Sequence, residues 1–231
     1  MCVVMHFQTQ PEQKGTSMNV TLPCKSLKAA LQSVLPHAST DTSLPPILRS
    51  VHMHVHAGNV LFKATDRYTL GMCRVPLGED VTTDDESFTV NLPLDDVKAL
   101  IRFLGTVMDI LPVTISVDES DKVTVEAAYG SMSFVSQFGE FPKVRGVVLA
   151  IPEPGKAMDV VTYDPQLLAK FSVSARAFRV GKSDPVVTVI NPKVGGGAAQ
   201  VTIGEDFLGL IMMVRHHGSP TAARESWDSI L

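Results

Sequence analysis

Three histidines, His52, His54 and His56, alternate along one apolar segment, so on an extended strand all three rings project from the same face. Neighbouring imidazoles are ligands that zinc and nickel accept, and a metal-assisted hydrolysis is the chemistry such a ladder would support. No acidic or thiol partner stands at a telling spacing, however, and the exposed polar face of a strand accounts for the same three residues. We therefore expect no metal there. Asp66, in an Ala-Thr-Asp turn, and the pair Asp95 and Asp96 invite a reading as catalytic carboxylates. Turn capping and the first turn of a helix explain them more simply.

The remaining nucleophile and phosphate signatures are missing. There is no G-x-S-x-G, no phosphate-binding glycine loop, and the glycine run at 195–197 precedes a strand, not a helix. Cys2, Cys24 and Cys73 are odd in number and form no C-x-x-C pair, which indicates neither a disulfide framework nor a zinc knuckle. The expectation is a protein without catalytic residues, metal or cofactor. A net charge of -4 argues against coating nucleic acid with the whole surface, but it allows a basic stripe on an acidic body.

The elements that carry these residues repeat. Three times along the 231 residues a strand, a short amphipathic helix and three further strands follow one another, from Met18 to about Leu77, Ser87 to about Phe138 and Ala157 to about Arg215. In the first unit Leu27, Ala30, Leu31, Val34 and Leu35 make one face of a helix, which Pro36 stops. In the second, LDDVKALIRFLG is a helix closed by Gly105, and the strands after it alternate apolar and polar residues. In the third, Asp164 and Pro165 are a cap and a first-turn residue, and the strands expected around the helix are AMDVVTY, RAFRVG, PVVTVIN, AQVTI and FLGLIMMVR. The last two read equally as one bulged strand or as a hairpin.

The fold class is α+β, with helices on one face of antiparallel sheets. The boundaries we expect are an extension at 1–17, a two-unit domain at 18–142, a Pro- and Gly-rich connector at 143–156, a half-domain at 157–215 and a tail at 216–231. The longest apolar runs are strand-sized, well short of the roughly 20 residues that cross a bilayer, and 1–17 lacks the basic leader of a signal peptide. A cytoplasmic protein is expected.

The residues then resemble a known family, the sliding clamp (beta subunit) of bacterial DNA polymerase III. LKAALQSVLPHASTDTSLPPILRSV followed by NVLFKATDRYTLGMCRVPL is similar to the clamp's opening helix, loop and strand ending in a Thr-Asp pair. SMSFVSQFGEFP resembles the strand and Phe-Pro connector that close a clamp domain, and DPVVTVINP with FLGLIMMVR resembles the final strands. The resemblance implies a processivity-fold protein without an active site. It implies encirclement of duplex DNA by helices that meet phosphates, tethering of a polymerase and contact with a clamp loader, in a bacterium or a virus that infects one.

On that resemblance Lys25, Lys28, Lys98, Arg102, Lys170 and Arg176, on or just after the three helices, are the candidate DNA-facing stripe; solvated helix surface is the alternative. Met212, Met213, Val214 and Arg215 match the segment that lines the partner groove, the alternative being a buried strand. The family's terminal Pro is absent, and the loop that carries an Arg in the family has Thr40 and Asp41 here. SWDSIL, with Trp227, Ile230 and Leu231, resembles the apolar peptides that clamps bind, as a plug or a subunit linker; a disordered tail is the alternative. Three units leave one half without a partner inside the chain, so exposed sheet edge and a homo-oligomer are expected. The other reading is a clamp-fold adaptor that binds replication proteins without encircling DNA.

Overall fold

The computed structural model describes residues 18–78, 87–149, 161–191 and 197–214. Two antiparallel sheets carry the three long helices on one side, and one short helix lies against the other face. In the first unit, β1 (Met18–Pro23), α1 (Cys24–Val34), β2 (Ser50–His56), β3 (Asn59–Thr65) and β4 (Thr69–Pro76) follow in order. In the second come β5 (Phe88–Pro93), α2 (Leu94–Leu104), β6 (Pro112–Val117), β7 (Lys122–Ala127) and β8 (Gly130–Val135). The short α3 (Arg145–Leu149) lies in the segment read as a connector. The third unit comprises α4 (Pro165–Arg176), β9 (Val187–Ile190), β10 (Ala198–Ile203) and β11 (Phe207–Met212).

The first two units exchange their opening strands. β1 pairs with β6 of the second unit, and β5 pairs with β2 of the first, giving sheets ordered β1-β6-β7-β8 and β5-β2-β3-β4-β11-β10-β9. A proline precedes both α1 and α2, Pro23 and Pro93, at nearly the same backbone angles. Such a residue needs no amide partner of its own, and its fixed φ turns a strand into a helix within one step. Neither helix has a side-chain cap. For α1 the exchange supplies one instead: the amides of Cys24 and Lys25 donate to the carbonyls of Leu111 (2.9 Å) and Asp109 (3.0 Å), on the second unit. The inward stripes then meet in one core, with Leu27, Leu31 and Val34 of α1 and Val97, Leu100 and Leu104 of α2 fully shielded from water.

The third unit differs from its expected form. RAFRVG makes no strand. It leaves α4 as a turn with an isolated bridge between Val180 and Ser183, and Arg179 folds back onto Asp184. Residues 161–163 of AMDVVTY are not in a strand, and the rest of that segment lies outside the described residues. AQVTI and FLGLIMMVR form the hairpin β10–β11. Pro46–Arg49, just before β2, form a 3-10 turn.

Nor is this unit left without a partner inside the chain. β11 pairs along β4, so its sheet continues that of the first unit, and α1 packs between α2 and α4. Among the described residues β9 is an edge strand of the seven, and Val180 and Val186, which precede it in the chain, are 82% and 80% exposed. No helix among the described residues is long and apolar enough to cross a membrane.

Candidate functional site: a groove on the β4–β11 seam

The seam is made by two glycines. Gly71 and Gly209 stand opposite each other in register. A Cβ on Gly71 would come within 2.3 Å of the His37 ring, and one on Gly209 within 2.5 Å of Phe171 and 2.8 Å of the Leu70 carbonyl oxygen. His37, from the 3-10 turn after α1, and Phe171, from α4, meet over this flat patch with ring centroids 4.7 Å apart and planes tilted by 51°.

Two polar contacts fasten the same junction. Ser174 Oγ donates to the Ser33 carbonyl (2.6 Å), so it accepts from His37 Nε2 (3.1 Å), and the imidazole is the neutral Nε2–H tautomer. Its Nδ1 is buried without a partner. Burial, with the nearby Lys170 charge, pushes the His37 pKa down to about 3.

Asp66 performs the turn role expected of it and a second one as well. Its Oδ1 accepts from the amides of Tyr68 (3.0 Å) and Thr69 (2.7 Å) and from Thr69 Oγ1 (3.0 Å). Its Oδ2 takes the Lys170 ammonium in an ion pair across the seam, largely shielded from water. Burial alone would raise the Asp66 carboxyl, but the Lys170 and Thr69 bonds outweigh it and hold the pKa below the usual carboxylate value. Lys170 is thus neutralised inside the chain, and it is not a free cation for a phosphate.

This turn shapes a groove of about 270 Å³ between the two units. Arg67, at φ +81°, and Tyr68 form one lip, Val144 and Val147 of the former connector the other, and Leu70, Leu210 and Met212 the floor. The walls are apolar and half open: Tyr68 is 61% exposed, Val147 51% and Met212 40%. Arg67 and Lys143 add positive charge at the rim. Of the four residues expected to dock partners, Met212 lines the groove. Met213 and Val214 do not line it, although the Val214 amide ties the strand end to the Thr162 carbonyl (2.9 Å). Arg215 lies outside the described residues, as does the tail with Trp227, Ile230 and Leu231. The second wall, which the sequence did not reveal, comes from residues 67–70 and 142–147; its traces were an aromatic at a turn and the apolar Val144, Val147 and Val148 in a segment otherwise rich in turn formers.

The remaining cations lie on the helices. Lys25, Arg102 and Arg176 are exposed, Lys28 is half-buried, and Lys98 is half-buried and bonded to Asp95 at 2.9 Å. That bond holds the Asp95 carboxyl down, while burial and then the Asp95 charge raise Asp96; both lie in the first turn of α2.

The histidine ladder does share one face, but it is not uniformly exposed. His52 is buried, donates from Nδ1 to Asn91 Oδ1 (2.7 Å) and stacks on Phe141 at 5.0 Å. Burial pushes its pKa down to about 4 against the opposing effect of the Asn91 bond. His54 bonds Ser87 (3.0 Å) and stacks on His56 at 5.4 Å. No group of three potential ligands among the described residues is placed to hold a metal ion.

No protein-family model matches the chain, and no curated protein does. Solved structures match over nearly all of it. The sliding clamp (DNA polymerase III subunit beta) of Pseudomonas aeruginosa bound to griselimycin has a TM-score of 0.62 at 14% identity, covering 90% of this chain and 68% of that one. A second structure of the Pseudomonas aeruginosa DNA polymerase III subunit beta gives 0.63 at 16%, and a putative beta subunit from Eubacterium rectale 0.63 at 13%, with the same coverage. The chain therefore has the fold of the bacterial DNA polymerase III beta sliding clamps, over about two thirds of their length.

Proposed function

We infer that this protein acts as a sliding clamp, which holds a polymerase on duplex DNA and has no catalytic centre of its own. The observation that carries the reading is the apolar groove on the β4–β11 seam. A half-open pocket with a Met and aliphatic floor, an aromatic lip and a basic rim suits one or two large apolar side chains of a short peptide. It also sits where the likeness to clamps put the partner segment at Met212.

Lys25, Lys28, Lys98, Arg102 and Arg176 supply the DNA-facing cations in this reading. Contacts of this kind go to phosphates and are indifferent to sequence, and a topological grip needs only weak ones. The β9 edge, unpaired among the described residues, and the exposed Val180 and Val186 support closure by further copies of the chain. A polymerase, and a loader that opens the assembly, are the partners implied.

The test is capture of a labelled clamp-binding peptide by fluorescence anisotropy. Met212→Asp should weaken it by at least tenfold, because a buried carboxylate would face the apolar ligand; equal affinity of the two proteins would mean that the peptide binds elsewhere. A second reading, an adaptor that does not encircle DNA, is favoured by one observation. Only one complete domain and one half-unit occur among the described residues. Native mass separates the two: a multimer supports the clamp, a stable monomer the adaptor.

A further inference from the structure

The β4–β11 seam shows how units that share no domain are joined in this chain: the last strand of one lies antiparallel along the last strand of another. β8 is the last strand of the second unit. It stands at the edge of its sheet, and no strand among the described residues lies beside it.

The backbone of that edge is unpaired in a regular way. The Ser136 amide donates to the Asp121 carbonyl (2.8 Å), so antiparallel alternation turns the backbone groups of Met132 and Phe134 toward β7. Those of Ser131, Ser133 and Val135 point outward. Beyond them the chain leaves the edge, with the Gln137 amide donating to the Asn91 carbonyl (2.8 Å). Edges that must stay single are usually blunted by Lys, Pro or a bulge. GSMSFV has no charge and no proline, and its register on β7 is unbroken.

Apolar surface gathers at both ends of the same edge. Tyr129, just before the strand, is 73% exposed, Val135 at its end 65% and Phe138 beyond it 92%. Phe138 is held out: Asn91 Nδ2 donates to the carbonyls of Gln137 (3.0 Å) and Gly139 (2.9 Å), which fixes the backbone on both sides of the ring. An aromatic fixed in water next to an unpaired strand calls for a cover.

A second copy of the chain supplies it. Turned by a two-fold axis through Ser133, it sets Ser131 opposite the partner's Val135 and Ser133 opposite the partner's Ser133, so each outward amide meets a carbonyl. The same axis brings Tyr129 alongside the partner's Phe138 at one end and repeats the contact at the other. Charge agrees as well. In β7, Lys122 stands next to Val135 and Glu126 next to Ser131, so the row that begins at Lys122 ends at the partner's Glu126.

We propose that β8 is a homotypic docking edge, on which two copies of the chain pair antiparallel about a two-fold axis through Ser133 and cover each other's Tyr129 and Phe138. This deepens the closure by further copies given above. The pairing itself does not rest on DNA binding, and the two fail separately.

The experiment uses the full-length protein. Ser133→Cys should form a disulfide-linked dimer under mild oxidation, because the Cα atoms of a hydrogen-bonded antiparallel pair lie about 5.5 Å apart, within reach of a disulfide. Ser131→Cys should link no more than the wild type, since its counterpart lies four residues along the strand, more than about 13 Å away. Ser133→Pro removes an outward amide that the fold does not use, and it should weaken dimerisation by about tenfold or more in sedimentation equilibrium. Phe138→Asp lies outside the strand and should weaken it too, which answers the question even where the proline disturbs β8. A wild type that stays monomeric, or equal linking of Ser131→Cys and Ser133→Cys, overturns the pairing. Self-association that survives both Ser133→Pro and Phe138→Asp overturns it as well, assigning assembly to another edge such as β9. A dimer linked through Ser133→Cys that has no affinity for duplex DNA would leave the β8 edge standing and remove the clamp reading.

Discussion

The two-unit domain and the third unit use the same helix-and-strands plan but are held together differently. In the first, each unit lends its opening strand to the other's sheet, so neither sheet is complete without both units. The third unit lends no strand within the described residues. Its helix buries only Phe171, Ser174 and Ala175 fully, against six residues in α1. What fixes it is the seam: a strand pair, two facing glycines, one buried imidazole and two ion pairs. Cooperativity should be strong in the first region and conditional in the second.

The harshest way to break that contrast is Phe171→Ala. It removes a side chain only 1% exposed that lies against His37 and Phe207, at an expected cost of about 3–5 kcal/mol. Hydrogen exchange should show β9, β10 and β11 losing protection while β1 and β6 keep theirs; uniform loss across both regions would mean the seam is not a separable unit. Gly209→Val should act in the same place at about 1–3 kcal/mol, through overpacking against Phe171.

Lys170→Met comes next. Removing one member of a shielded pair leaves Asp66 charged without its partner, and about 2 kcal/mol should be lost in thermal or denaturant unfolding. Acid should weaken the same seam. The His37 pKa is about 3 in the folded protein and about 6.5 when unfolded, so between those values the unfolded chain binds more protons. Stability is then complete above about pH 6.5 and falls as the pH drops toward 3, with a slope of at most about 1.4 kcal/mol per pH unit from this residue. His52, with a pKa of about 4, adds a similar slope on the outer face, whereas Asp66 contributes only below its unfolded value, where its protonation begins. His37→Gln should flatten the fall in urea titrations at pH 4–7, and an unchanged slope would assign it elsewhere. The smallest effect is expected from Arg74→Ala, which also crosses the seam, to Asp206 at 3.0 Å. Both side chains are about half exposed, so the change should stay within about 0.5 kcal/mol.

Periodicity made the regular parts of the fold legible. Leu27, Ala30, Leu31 and Val34 announce α1 by their spacing, and the alternation through β6 and β7 puts Val113, Ile115, Val117, Val123 and Val125 in the core. Pairing between distant strands leaves no such trace, because a strand's pattern states which face is buried and not which edge it joins. The strand exchange and the β4–β11 seam were invisible for that reason.

RAFRVG misled because Phe178 and Val180 alternate like a strand while serving a turn. Lys170 misled because a basic residue on a helix looks solvated until an acid from a different unit arrives beside it. The groove was half legible: Met212 follows from the likeness to clamps, while its opposite wall comes from a turn and a connector that composition marks only as irregular. Nothing in the pattern around His37, a polar residue after a helix stop, signals that its ring would be sealed between two aromatic rings and a glycine.

Whether the helices meet duplex DNA decides between a clamp and any other use of this fold. The salt dependence of binding to a linear duplex of arbitrary sequence, wild type against Lys98→Glu/Arg102→Glu, addresses it without intermediaries. The variant should bind more weakly, with the slope of log K against log salt reduced by about two, one unit for each phosphate it no longer neutralises. Identical affinities and slopes for the two proteins would contradict a DNA-facing role for these helices.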